Sequence, residues 1–138
     1  MTVLQGALLG FALWTLTILT VTVGVHRWSH ILTGRARIDQ FPADAPTGPD
    51  WYKRGTRAHL NCVENLPVFT AIVVTAPAAA QATPLIDVLA IGLLCARVVQ
   101  STVHIGFKET SRTVAIRFTF YCLQVAAMFA IACALWRS

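Results

Sequence analysis

Arg57, His59, Asn61 and Glu64 stand at the head of a stretch that continues through Leu66-Pro67-Val68-Phe69 as a membrane span. A charged side chain at the centre of a bilayer costs roughly 2.5 to 3.5 kcal/mol on insertion scales, so a span that keeps one is expected to supply a partner, a ligand or an ion. At about 100° per residue, Arg57, Asn61 and Glu64 share a helix face about 60° wide, and His59 points elsewhere. Two more polar strips repeat at helical intervals, Arg97, Gln100, Ser101 and His104 in one stretch and Arg117 with Tyr121 in another. Three arginines, Arg57, Arg97 and Arg117, are thus set against one intramembrane carboxylate, Glu64, because Asp87 opens its own stretch, where its charge suits the helix dipole. A guanidinium keeps its proton, and its fixed fork fits carboxylates. The excess is therefore expected to take an anion, either ligand carboxylates or a thiolate.

The elements that position these residues are helices in a membrane. The chain has 138 residues, of which 56% are hydrophobic and 12% charged, with a mean hydropathy of +0.63; soluble domains carry about 25% charged residues. Four apolar stretches, at about residues 3–25, 57–80, 84–106 and 113–136, each approach the roughly 20 residues that cross a hydrocarbon core as a helix. The first lacks the basic start, the short apolar run and the small-residue cleavage site of a signal peptide, and reads as helix 1. Between His26 and Gly55 the chain turns polar and then proline-rich, with Pro42, Pro46 and Pro49 around Gly48, which blocks a continuous helix. Within it, His26 to Ile38 can prolong helix 1. No repeat or second domain is visible, so residues 1–138 read as one four-helix bundle, all-α, with antiparallel neighbours across the short connections.

A net charge of +5 would suit nucleic acid, but its distribution argues for topology. Arg27, Arg35, Arg37, Lys53 and Arg54 lie between spans 1 and 2, Lys108 and Arg112 between spans 3 and 4, and none near Ala82-Thr83-Pro84. The positive-inside rule places both basic connections in the cytoplasm and both termini on the far side. No nucleic-acid partner is expected. Cys62, Cys95, Cys122 and Cys133 show no CxxC or metal-like spacing and read as small apolar residues. Trp51 and Tyr52 beside Lys53 and Arg54, and Trp136 beside Arg137, have the composition of interfacial anchors. Pro67 and Pro77 are expected to kink span 2.

Arg57-Ala58-His59, Asn61 and Glu64 together resemble the helix 2 signature of the MAPEG superfamily, the membrane-associated proteins of eicosanoid and glutathione metabolism. Gly34-Arg35-Ala36-Arg37 before Phe41-Pro42 looks like its basic segment, Ala96-Arg97 is similar to its helix 3 arginine, and Ile116-Arg117 with Tyr121 to its helix 4 element. The resemblance covers the chain in order. It implies a homotrimer with glutathione between subunits, near the cytoplasmic face of a membrane such as the bacterial inner membrane. It also implies that Arg57, Asn61 and Glu64 hold the tripeptide, that Arg35 or Arg37 meets a carboxylate, and that Arg97, His104 and Tyr121 complete the site. Arg117 is then the catalytic residue, stabilising the thiolate that attacks a lipophilic electrophile or reduces a lipid hydroperoxide.

Two departures narrow that expectation. His104 stands where well-studied members place a tyrosine, and Phe118 follows Arg117 where the prostaglandin-synthase type has serine, which argues against that isomerase reaction. Two other functions fit the same residues: a non-catalytic membrane protein whose strips hold the assembly, a lipid or another anion, and a small transporter using Glu64. The arginine excess disfavours the transporter, because it repels cationic cargo.

Overall fold

The computed structural model describes residues 1–42, 45–77 and 83–137, and the described secondary structure is entirely helical. Four long helices run in chain order: α1, Val3–Leu32; α2, Asp50–Thr75; α3, Pro84–Gly106; and α4, Ser111–Trp136. Helices α1, α3 and α4 are long and apolar enough to cross a membrane. At 26 residues α2 is equally long, but it is the helix that carries the polar strip.

Threonines set three of the starts. Thr2 and Gln5 form a reciprocal capping box on α1, Thr83 accepts from the Ile86 amide ahead of Pro84, and Thr110 caps α4. Each occupies donors that helix geometry leaves without partners. At the other end of α1, Gly34 at φ +66° donates to the Ile31 carbonyl while Arg35 donates to that of His30. This is the Schellman arrangement, which needs a left-handed residue that glycine adopts without strain. Helix 1 is thus prolonged, but to Leu32 rather than Ile38, which opens a separate 3-10 turn with Asp39 and Gln40.

Helix α2 begins at Asp50, seven residues before the expected 57. Pro49, which cannot donate, precedes it, and Asp50 supplies a carboxylate at the positive helix end. Pro67 lies inside α2 and Pro77 beyond its end. Ala82, in the expected turn before α3, lies outside the described residues.

The core is built from positions three, four or seven apart: Leu4, Phe11 and Ile18 of α1, Ala58, Cys62 and Phe69 of α2, Ile86, Ala90 and Leu93 of α3, and Met128 and Ile131 of α4. Large apolar residues on the outer faces stay exposed, among them Leu9, Leu13, Val88 and Phe129, as suits a protein whose solvent on those faces is lipid.

Helices α1 and α2 touch most closely at Gly55. A methyl group there would come within 2.5 Å of Thr22 Cβ, in the π-helical turn Leu19–Gly24 that interrupts α1. Gly55→Ala is therefore expected to destabilise the protein by about 1–3 kcal/mol through overpacking. Thermal unfolding in detergent measures this, and an unchanged midpoint would show that the two helices can part freely.

Tyr52 is not the exposed anchor that its neighbours suggest. It is buried, stacked on His26 with ring centroids 4.0 Å apart, and its hydroxyl accepts from Arg27 Nε at 3.1 Å. The pair fastens the start of α2 to the last turns of α1, and Gly48 at φ +149° lets the connection pass against both rings.

Candidate functional site

Arg57 and Arg117, one from each of two polar strips, meet at the end of the bundle where α2 starts and α3 passes into α4. Arg54 Nε donates to the carbonyl of Ile105 at 2.9 Å, fixing the first turns of α2 to the last turn of α3. A cleft of about 330 Å3 opens there, lined by Asp50, Lys53, Arg54, Arg57, Lys108 and Glu109. Four cations against two carboxylates leave this cleft positive.

Its centre is one carboxylate oxygen. Glu109 Oε1 accepts from Arg57 Nη1 at 3.4 Å and from Arg117 Nη1 at 3.3 Å, so arginines from α2 and α4 converge on the connection between α3 and α4. The Arg117 side chain is 20% exposed, those of Glu109 and Arg57 49% and 63%. The hydrogen bond from Arg117, reinforced by the charge of Arg57, holds the Glu109 carboxyl below the usual carboxylate range. A depressed folded-state value means that this contact is intact above the ordinary range and is lost as pH falls through the lowered one.

Behind the cleft lies a buried polar layer. Gln100 Nε2 donates to the Arg117 carbonyl at 3.2 Å, and Gln124 Nε2 donates to Gln100 Oε1 at 2.9 Å. These bonds fix the turn of α4 that carries Arg117 against α3. His104 is buried on the same side of α3, and its Nε2 has no hydrogen-bond partner among the described residues.

Arg97 is placed differently. It is 1% exposed, its guanidinium lies over the Phe11 ring at 5.0 Å, and its Nε and Nη2 have no hydrogen-bond partner among the described residues. The ring face supplies part of the charge compensation. Ser101 donates to the Arg97 carbonyl and lies 3.6 Å from Cys62 Sγ, which closes that layer from outside.

Arg57 and Arg117 are thus brought together, with His104 buried behind them. Arg35 and Arg37 remain exposed in the connection after α1, Arg37 paired with Asp39 at 3.2 Å, and neither lines the cleft. Glu64 is exposed on α2 and makes no ion pair with Arg57 or Arg97 among the described residues. Asn61 is half-buried and bonded to Asn65 one turn on. His59 turns away from this face, its Nδ1 3.3 Å from the Thr15 carbonyl. Tyr121 borders a second, largely apolar groove of about 280 Å3 between α2 and α4, with Asn65, Val68, Ile72, Val125, Met128, Phe129 and Ala132.

Glu109 is the residue that sequence reasoning missed. A carboxylate in the connection Lys108-Glu109-Thr110 reads as solvated loop. The available signal was its place eight residues before Arg117, about two helical turns away.

Comparison with known proteins gives the family. No curated protein and no solved structure matches the chain. The MAPEG family model matches residues 4–135, from the first turn of α1 to the last of α4. Nearly the whole chain is covered, and the protein belongs to the MAPEG family, the membrane proteins of eicosanoid and glutathione metabolism.

Proposed function

We propose that the protein is a glutathione-dependent transferase or peroxidase acting on lipophilic electrophiles from within the membrane. The observation that carries this reading is the convergence of Arg57 and Arg117, from two helices, on a single carboxylate oxygen. A cleft that holds a carboxylate between two guanidiniums is suited to a ligand rich in carboxylates, and MAPEG proteins commonly use glutathione. A thiol of pKa near 8.5 is mostly protonated at neutral pH, and an adjacent arginine favours the thiolate, the nucleophilic form. Arg117, the less exposed of the two, is the residue assigned to the sulfur. In conjugation the sulfur forms a bond to carbon, and the leaving halide departs with its bonding pair. The apolar groove beside Tyr121 gives a lipophilic substrate a route from the bilayer.

The same reading makes α2 the fourth span and the functional unit a homotrimer. In one chain Asn61 is only half-buried, and Glu64, Val63 and Val68 are exposed along α2. An unpaired carboxylate facing lipid is disfavoured by kilocalories, so this face is assigned to contacts with further copies and with the tripeptide between them. The basic connections are then cytoplasmic and both termini lie on the opposite side, in a membrane such as the bacterial inner membrane.

Thermal unfolding of the purified protein tests the ligand. Glutathione at about 100 times its dissociation constant should add about 2.7 kcal/mol of stability. No shift at any concentration would leave the arginines to a non-catalytic role, and a stable monomer or dimer by mass in detergent would remove the trimer.

A further inference from the structure

One carboxylate already sits between Arg57 and Arg117 at the edge of the cleft, and it belongs to the chain itself. Glu109 uses a single oxygen for both arginines, and each arginine gives it only one of its nitrogens. The forks are therefore half used, and their remaining donors stay available. The side chain is half exposed and comes from a short connection between two long helices, so it can swing out without disturbing either. A ligand carboxylate or thiolate approaching Arg57 and Arg117 meets the negative charge of Glu109 at the same place.

We propose that Glu109 is the resident counter-ion of the anion site, which an incoming anionic ligand must displace to engage Arg57 and Arg117. This rests on the reading of the cleft as a glutathione site, and it adds the residue that sets how tightly that site takes an anion. In the free protein Glu109 offsets part of the charge of two guanidiniums that would otherwise repel each other, and the trio keeps a net positive charge. In the complex the ligand takes over that role, and Glu109 turns towards solvent and the lysines of the cleft. Affinity is then a difference between two anions on the same donors. A neutral side chain at 109 removes the competitor while leaving the arginines in place. The charge of Glu109, held by hydrogen bonds to Arg117 and Arg57, persists well into the acidic range, so the competition operates throughout the neutral range.

The test compares wild type with Glu109→Gln and Glu109→Ala, full length in detergent, by two measurements. Calorimetric titration with glutathione is expected to show about three- to tenfold tighter binding in both variants, the range expected for losing two partly exposed ion pairs. The rate at which phenylglyoxal modifies Arg57 and Arg117, mapped by mass spectrometry without ligand, is expected to rise in the variants because the covering carboxylate is gone. Unchanged or weaker glutathione binding in both variants would overturn the proposal and leave the glutathione reading standing. If none of the proteins binds glutathione, that reading falls and the labelling decides alone: faster modification upholds the resident counter-ion, and equal rates overturn it.

Discussion

Arg117→Ala is expected to lower turnover of a generic aryl halide by about a hundred- to a thousandfold, the range for removing one preorganised group that stabilises developing or resident negative charge. Glutathione binding should change far less, because most of the tripeptide's contacts are assigned to other residues. The asymmetry follows from what the charge acts on. In the bound state Arg117 favours the ionised sulfur, and its loss should raise the thiol pKa by about one to three units. A pH titration of the thiolate's ultraviolet absorbance in the complex reads that shift directly. Arg117→Lys keeps the charge without the planar fork and should recover part of the rate. Identical titration curves for wild type and Arg117→Ala would reassign the sulfur to His104 or Arg97, the other cationic or titratable groups buried in α3.

The second large effect is expected at Glu64. Glu64→Gln should weaken glutathione binding about ten- to hundredfold, the equivalent of roughly 1.5–3 kcal/mol for a hydrogen bond involving a charge. The effect follows from the partner that Glu64 lacks. It sits deep in α2, exposed in the single chain and with no ion pair among the described residues. The amino group of the tripeptide is assigned as its partner. Calorimetry measures the affinity, and mass analysis in detergent measures the assembly. If Glu64→Gln instead dissociates the oligomer while wild type shows no affinity for glutathione, Glu64 serves assembly and the ligand contact must be abandoned.

The sequence foretold the last two helices closely. The stretch at 84–106 coincides with Pro84–Gly106, and 113–136 differs from Ser111–Trp136 by two residues at its start. Helix α2 was harder to bound. Its first turns, Asp50-Trp51-Tyr52-Lys53-Arg54, have the composition of a loop, and they are helical because Tyr52 stacks on His26 and Arg54 reaches the end of α3. Those are tertiary contacts between residues far apart in the chain, which hydropathy does not register. The site divides in the same way. Helical spacing isolates Arg57, Arg97 and Arg117 as members of polar strips, but spacing states only which face of a helix a residue occupies. Arg97 has Phe11 across from it, and Arg57 and Arg117 have Glu109. A ring face and a loop carboxylate leave no periodic trace, so the convergence of two arginines, and the enclosure of the third, required the fold.

The π-helical turn Leu19–Gly24 gives α1 an unusual freedom of length. Such a turn behaves as an α-helix that has taken in one surplus residue and confined the distortion to a bulge. A residue lost from the bulge would be absorbed locally, with Thr15 still turned towards His59 below it and His26 towards Tyr52 above. The same loss in a regular part of α1 would swing one end about 100° against the other and take either Phe11 from Phe69 or His26 from Tyr52. Helix 1 therefore has a built-in slip joint, placed between the segment that must match the thickness of the bilayer and the segment that must stay in register with the cleft.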